Sequence, residues 1–257
     1  MSGVPPNRFK RQLAERTPAL GMWLSLNSLA ATEIAAGAGF DWVLLDMEHG
    51  LYDIESVEHH LLAARHGGDA EFVVRVPSID PVLVKRLLDG GVRSFMFPFV
   101  QTVADARLAV AATRYPPHGI RGVSGINRAN QYTRTTDYGQ RYQDDICVIV
   151  QVESPQAVAA IPEYGGIEGI DGILVGPNDL AANMGLFGQT GHADVLAKID
   201  EALGLMLKTG RGAGILDFDP TAAVAKLKRG FSFAAVGGDT TILVRGMAEL
   251  LGKFRPA

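Results

Sequence analysis

Residues 147–180 read CVIVQVESPQAVAAIPEYGGIEGIDGILVGPNDL. Two short runs, 147–152 and 172–175, are near-continuous in Val, Ile and Leu, as strands buried on both faces are. A helical stretch, 155–160, lies between them behind Pro155. Each run ends in polar residues: Glu153 after the first, Gly176-Pro177-Asn178-Asp179 after the second. Strand, helix and strand in this order are the unit of a parallel α/β architecture.

Working outward, the same rhythm fills the chain. Apolar runs at 20–24, 42–46, 72–76, 94–97, 213–216 and 233–236 read as six further strands. Helical patterns fall at 30–36, 54–66, 81–88, 104–113, 193–208, 221–228 and 241–251. The punctuation agrees: Asp80 is a good N-cap with Pro81 at the first helical position, and Gly90-Gly91 closes that helix. Eight alternations in about 250 residues predict an α/β fold, a (β/α)8 TIM barrel. A doubly wound open sheet is the rival. It usually carries a Gly-rich turn after its first strand, and Leu24-Ser25-Leu26-Asn27-Ser28 has none. No shift of composition marks a linker, so residues 1–257 read as one domain. Residues 115–145 break the rhythm with no clear periodicity and carry Arg121, Arg128, Arg134 and Arg141. They read as a solvated surface loop, or as a loop over the active site or in a subunit contact.

Composition bounds the function. The 257 residues hold 24 basic and 28 acidic side chains, a net charge of −4, and 47% are apolar. This is globular composition with enough apolar content for a sizeable core. The mild acidic excess argues against nucleic acid or an anionic membrane as the main partner. Cys147 is the single cysteine, which excludes an internal disulfide and a multi-cysteine zinc site. The first twenty residues lack the apolar core of a secretory signal, and no run approaches the length of a membrane span, so the expected location is cytoplasmic.

Barrel enzymes work at the C-terminal ends of their strands, so the polar residues just after each apolar run are the candidates. The second strand ends Asp46-Met47-Glu48-His49-Gly50, and a carboxylate orienting an imidazole makes a catalytic base. Arg75 sits inside the apolar run Phe72-Val73-Val74-Arg75-Val76. It is either a structural ion pair or a bidentate grip on a carboxylate or oxyanion. Asp89 opposes the dipole at the end of its helix, so a partner elsewhere is expected, with His49 the candidate. By strand alternation Gln151 and Glu153 share a face. Glu153 and Asp179 lie at the same end of neighbouring strands, and two carboxylates with open positions suit Mg²⁺ or Mn²⁺. The Gly176–Asp179 turn also offers backbone N–H groups to a substrate carboxylate. Gly237-Gly238-Asp239-Thr240-Thr241 reads as a Gly turn and helix cap, or as a phosphate site. His59, His60, His66, His118 and His192 read as surface or structural. None of the seven lysines falls at a strand end, which argues against a Schiff base.

Six segments in series resemble the HpcH/HpaI aldolase family: Asp41-Trp42-Val43-Leu44-Leu45-Asp46-Met47-Glu48-His49, Val73-Val74-Arg75, Leu87-Leu88-Asp89-Gly90-Gly91, residues 114–122 (RYPPHGIRG), Gln151-Val152-Glu153 and Gly176-Pro177-Asn178-Asp179-Leu180. The likeness runs from about Gly21 to Thr241. It implies a class II, divalent-metal pyruvate aldolase on a (β/α)8 barrel, a homo-hexamer built as a trimer of dimers. Glu153 and Asp179 match metal ligands for Mg²⁺ or Mn²⁺, with Co²⁺ an alternative. Arg75 matches the residue at the keto-acid oxygen, and His49, Asp46 and Asp89 match proton-transfer residues. Gln151, Gly176, Pro177, Asn178, Asp179 and Leu216 match the substrate surroundings. Asn178 stands where several relatives have Ala or Ser. The implied reaction is reversible cleavage of a 4-hydroxy-2-oxo acid to pyruvate, or hydroxypyruvate, and an aldehyde. Rival readings are an acyl-CoA thioester lyase of the same superfamily, a phosphosugar isomerase using Gly237–Thr241, and a non-catalytic carboxylate-binding barrel.

Overall fold

The computed structural model describes residues 6–255. Eight strands, β1 (Ala19–Leu24), β2 (Trp42–Asp46), β3 (Glu71–Arg75), β4 (Ser94–Phe97), β5 (Cys147–Val152), β6 (Gly172–Val175), β7 (Gly212–Leu216) and β8 (Phe233–Gly238), pair in parallel and in sequence order, and β8 closes on β1. Closure removes both sheet edges and excludes the open-sheet rival. The helices are α1 (Arg8–Glu15), α2 (Leu29–Gly37), α3 (Ile54–Gly67), α4 (Pro81–Asp89), α5 (Val103–Thr113), α6 (Tyr138–Asp145), α7 (Pro155–Ala159), α8 (Ile161–Gly165), α9 (Pro177–Asn183), α10 (Ala193–Thr209), α11 (Pro220–Lys228) and α12 (Asp239–Phe254).

Period-two alternation sorts each strand into two cores. Outward residues such as Val43, Leu45, Val148, Val150 and Ile173 pack under the helices. Inward residues Trp23, Trp42, Leu44, Val73, Met96, Cys147, Ile149, Leu174 and Phe233 fill the barrel. The interior fits because small residues face large ones. A Cβ on Gly21 would lie 2.1 Å from the Trp42 ring, so only glycine admits that indole. The start of the barrel is plugged by α1, a helix the sequence reading did not assign. Its Phe9 stacks on Trp42 at 5.3 Å and meets Phe233 edge-on. Asn7 caps α1 and donates from Nδ2 to Ser94 Oγ at 2.8 Å, tying the helix to β4.

Two further features stand out. Residues 115–145 contain α6 and a chain of turns, pinned by Tyr142, whose hydroxyl accepts from the Tyr115 N–H at 2.8 Å. Helix α12 leaves the barrel after its first turn: every residue from Ile242 to Arg255 is exposed. Leu243, Val244, Met247, Leu250, Leu251 and Phe254 form one apolar stripe along it.

Candidate active site

The inward alternation that fills the barrel continues into polar residues at its C-terminal mouth. Trp42 and Leu44 are followed on the same face by Asp46, Glu71 and Val73 by Arg75, and Cys147 and Ile149 by Gln151 and then Glu153. Four of the expected site residues therefore share one buried layer, and Asp46, Arg75, Gln151 and Glu153 are all nearly inaccessible.

Asp46 and Arg75 are locked together. Arg75 donates from Nε to Asp46 Oδ1 at 2.8 Å and from Nη2 to Oδ2 at 2.6 Å, a planar two-bond fork. Trp23 donates its indole N–H to Asp46 Oδ2 at 3.0 Å and lays its ring 4.7 Å from the guanidinium carbon. The backbone N–H groups of Glu48 and His49 complete the set on Oδ1 at 3.1 and 3.3 Å. Burial pushes the Asp46 carboxyl up, but the Arg75, Trp23 and His49 donors outweigh it and hold the group below the usual range. The third guanidinium nitrogen, Nη1, lies 2.8 Å from Glu48 Oε2. This contact is an ion pair without hydrogen-bond alignment.

Across the mouth sits Glu153. The Phe99 N–H donates to its Oε2 at 2.7 Å and Gln151 Nε2 to its Oε1 at 2.8 Å. Phe99 adopts a left-handed φ of 50° to aim that N–H. Gly176 is required here, since a Cβ would stand 2.7 Å from Glu153 Oε1. Burial drives the Glu153 carboxyl up to about 7; the Phe99 N–H opposes this, and Asp179 and Glu48 add to it by repulsion. Glu48 is likewise raised, by burial first, against the pull of Arg75 and with further repulsion from Asp46 and Asp179. Asp179 stands exposed in the first turn of α9. Asn183 Nδ2 donates to the backbone oxygens of both Glu153 and Asp179, fixing α9 to the end of β5. Leu216 and Phe218 line the rim beside the inner core.

These residues suit a hard divalent cation. Three acids, Glu153, Asp179 and Glu48, repel one another around one half-committed arginine. Gln151 Oε1 is buried without a donor. The donors are all oxygen, the type Mg²⁺ and Mn²⁺ prefer. Among the described residues no group of three His, Cys, Asp or Glu side chains is arranged as a metal cage.

One expected pairing, Asp89 with His49, is not made within the chain, and the structure decides what Asp46 binds. Asp46 does not orient the His49 imidazole; it binds only the His49 backbone N–H, because its oxygens are filled by Arg75 and Trp23. Asp89 does not meet His49 within the chain. Helices run back against the strands, so the end of α4 lies at the opposite mouth, where Asp89 accepts from Arg121 Nη2 at 2.7 Å. His49 itself is two-thirds exposed, with Nε2 4.0 Å from Glu48 Oε2. The Gly237–Thr241 segment caps the last helix, with Gly238 as its N-cap. The strand runs through Gly238 and the cap has no side-chain bond. Buried Asp239 takes the N–H groups of Ser25, Leu26 and Thr240 that a phosphate would need. His60 is structural, held between Thr32 Oγ1 and Asn27 Oδ1. Trp23 was missed, although it continues the inward series Ala19, Gly21, Trp23 to the mouth.

Comparison with known proteins agrees with this geometry. The family model described as HpcH/HpaI aldolase/citrate lyase matches residues 19–246. A pyruvate aldolase of Rhizobium etli is 43% identical over 98% of both chains. A 4-hydroxy-2-oxo-heptane-1,7-dioate aldolase of Escherichia coli is 42% identical over 96% of this chain and 95% of its own. A crystal structure of an HpcH/HpaI aldolase/citrate lyase family protein from Burkholderia cenocepacia superposes with a TM-score of 0.93 at 38% identity, covering 97% of this chain and 99% of the other.

Proposed function

Since the chain belongs to the HpcH/HpaI aldolase/citrate lyase family and is a carbon–carbon lyase of aldolase type, we propose that its substrates are 4-hydroxy-2-oxo acids, cleaved reversibly to pyruvate, or hydroxypyruvate, and an aldehyde. One observation carries the reading: a buried glutamate, Glu153, feels the repulsion of Asp179 and Glu48 and the attraction of the Arg75 guanidinium, which Glu48 touches at 2.8 Å. That pairs a cation-seeking carboxylate site with a fixed positive charge, the two features a 2-oxo acid needs at its carboxylate and keto oxygens.

In this reading Glu153 and Asp179 would hold Mg²⁺ or Mn²⁺, and the unpartnered Gln151 Oε1 would be available to the substrate or to a water. When bound, the ion supplies Lewis-acid stabilisation of negative charge on the substrate oxygens. Arg75 holds the keto oxygen. Asp46 and Trp23 keep its guanidinium from turning, so the positive charge is in place before charge develops. The Gly176–Asp179 turn lies along the substrate carboxylate, and Leu216 lines the acceptor side. His49 takes the proton from C3, or returns it, directly or through water.

The whole chain acts as one barrel domain, cytoplasmic and homo-oligomeric, as a hexamer of trimer-of-dimers type. The apolar stripe on α12, which its own barrel leaves bare, supports association. No helix among the described residues is long and apolar enough to cross a membrane.

The test is pyruvate release from a racemic 4-hydroxy-2-oxo acid, first with chelator and then with Mg²⁺ or Mn²⁺ restored. Metal-dependent release that is lost in Glu153→Ala is expected. Full activity after exhaustive chelation overturns the metal reading, and no release under any metal overturns the substrate class.

A further inference from the structure

A cavity of about 420 Å³ opens at the end of the barrel where the strands begin, opposite the candidate active site. It lies between the last turns of α3, the starts of β3 and β4, and the segment 128–146. None of its lining residues belongs to the site at the other end. The volume is that of a small-molecule pocket. Its floor is apolar, built by the buried side chains of Leu61, Ala64, Phe72, Leu88, Val92 and Ile146. Tyr138 and Tyr142 add ring surface. Their hydroxyls are already engaged, one accepting from Arg121 Nη1 at 3.2 Å and the other from the Tyr115 N–H at 2.8 Å. What the two tyrosines leave for the cavity is aromatic carbon.

Charge enters from the rim, where Arg65, Arg93, Arg128 and Arg141 line the cavity. Three of them have carboxylate partners: Arg93 with Glu71, Arg128 with Glu58 and Arg141 with Asp137. Arg65 has no carboxylate within ion-pair distance among the described residues; its Nη2 donates to the Gly91 carbonyl at 3.4 Å. It also stands beside like charge. A Cβ on Gly91 would lie 3.3 Å from Arg128 Cδ and 3.7 Å from Arg65 Nη2, so the two side chains converge over one backbone turn. Burial, then the charges of Arg93 and Arg128, hold the Arg65 guanidinium below its usual range, and Glu71 pulls the other way. The four acids that line the cavity do not answer it. Glu71 and Asp137 serve Arg93 and Arg141, Asp145 Oδ1 accepts from the Asn7 N–H, and Asp69 is exposed to solvent. We propose that this cavity binds a small aryl monocarboxylate, with its ring against Phe72, Tyr138 and Tyr142 and its carboxylate on Arg65. One guanidinium without an acid matches one carboxylate in a two-bond fork. A phosphate would bring more charge than Arg65 answers and nothing to cover the apolar floor. A neutral aromatic would leave Arg65 without an anion.

The probe is 4-(trifluoromethyl)phenylacetate, titrated into the full-length protein and followed by fluorine NMR line width. Mg²⁺ and excess pyruvate are present, so that a carboxylate site at the other end of the barrel is already filled. Saturable binding is expected, with a Kd below about 1 mM that rises with added salt. The uncharged isostere, 4-(trifluoromethyl)phenylacetamide, should bind about tenfold more weakly. Arg65→Met keeps the stem of an exposed side chain and removes its charge. It should weaken the acid about tenfold and leave the amide unchanged, a difference that general damage to the fold would not produce. This arm decides the matter whether or not pyruvate is a substrate. Equal binding of the acid by Arg65→Met and wild type overturns the proposal, because the ligand then sits on another surface. Displacement of the probe by pyruvate overturns it by placing the ligand in the active site. The absence of saturable binding overturns it outright.

Discussion

Glu153→Gln should stabilise the metal-free protein at alkaline pH, against the usual rule that changing a buried polar residue destabilises. The Glu153 carboxyl is raised from 4.5 to about 7 by burial and by its acidic neighbours. A raised carboxyl means that the folded chain holds a proton the unfolded chain has already lost. Stability therefore falls as pH climbs from about 4.5 to about 7, by roughly 3 kcal/mol in total, and stays low above that. Glutamine carries no such charge. Its oxygen can keep the Phe99 N–H, and its new NH₂ needs an acceptor where Gln151 now donates. Gln151 supplies one by turning its amide over, since its Oε1 is at present buried without a donor. The substitution should therefore cost little in hydrogen bonding and recover most of the charge penalty, about 1–3 kcal/mol at pH 8.5. Urea melts in chelator, at one fixed protein concentration, measure it at pH 5 and pH 8.5. The expected result is a variant more stable than wild type at pH 8.5 and nearly equal to it at pH 5. The variant should also lose the melting-temperature rise that Mn²⁺ gives the wild type. A variant less stable by the same amount at both pH values would refute the claim that Glu153 is a charge held at a cost for a cation.

Three further outcomes follow from the geometry. Arg75→Lys keeps a positive charge but loses the two-bond fork to Asp46, so kcat/KM for aldol cleavage should drop about 100-fold or more in steady-state assays. Gly176→Ala should leave far-UV circular dichroism unchanged yet weaken Mn²⁺ binding about tenfold by calorimetry, because the new Cβ at 2.7 Å must displace the Glu153 carboxylate. The double change Leu250→Glu and Leu251→Glu puts two charges on the exposed stripe of α12, and sedimentation velocity should then show a smaller species than wild type.

The barrel was legible because parallel strands buried on both faces leave an unmistakable trace: short apolar runs at regular spacing, each followed by helix punctuation. The site layer was legible for a related reason. Once a strand's inward face is known, the residue that continues it past the apolar run must point into the mouth. Asp46, Arg75, Gln151 and Glu153 all follow from that rule. What the rule does not carry is which acid Arg75 grips. Asp46 and Glu48 lie two apart and on the same side of the strand's end, so alternation does not separate them. The choice is made by Arg75 and Trp23, whose three N–H groups converge on Asp46 from the neighbouring strands β3 and β1.

The pairing of Asp89 with His49 is not made within the chain for a different reason. Its place at a helix C-terminus correctly signalled a missing partner, but sequence position alone did not say at which end of the barrel the partner waits. Topology does. Every helix returns the chain to the end where strands begin, so the last residue of α4 cannot reach the end where strands finish on its own barrel. The partner is Arg121, from the stretch that reads as irregular, with the guanidinium fully buried, 4.3 Å from the Tyr115 ring and close to Tyr138 and Tyr142. Around Arg121 that loop is held by a charge pair and three aromatic rings rather than by helical periodicity, a kind of order that depends on side chains far apart in sequence meeting in space. The same logic bears on the chemistry. Residues that act through the backbone path of one strand are readable from one strand; the convergence of Arg75 and Trp23 on Asp46 becomes visible only when β1, β2 and β3 are seen side by side.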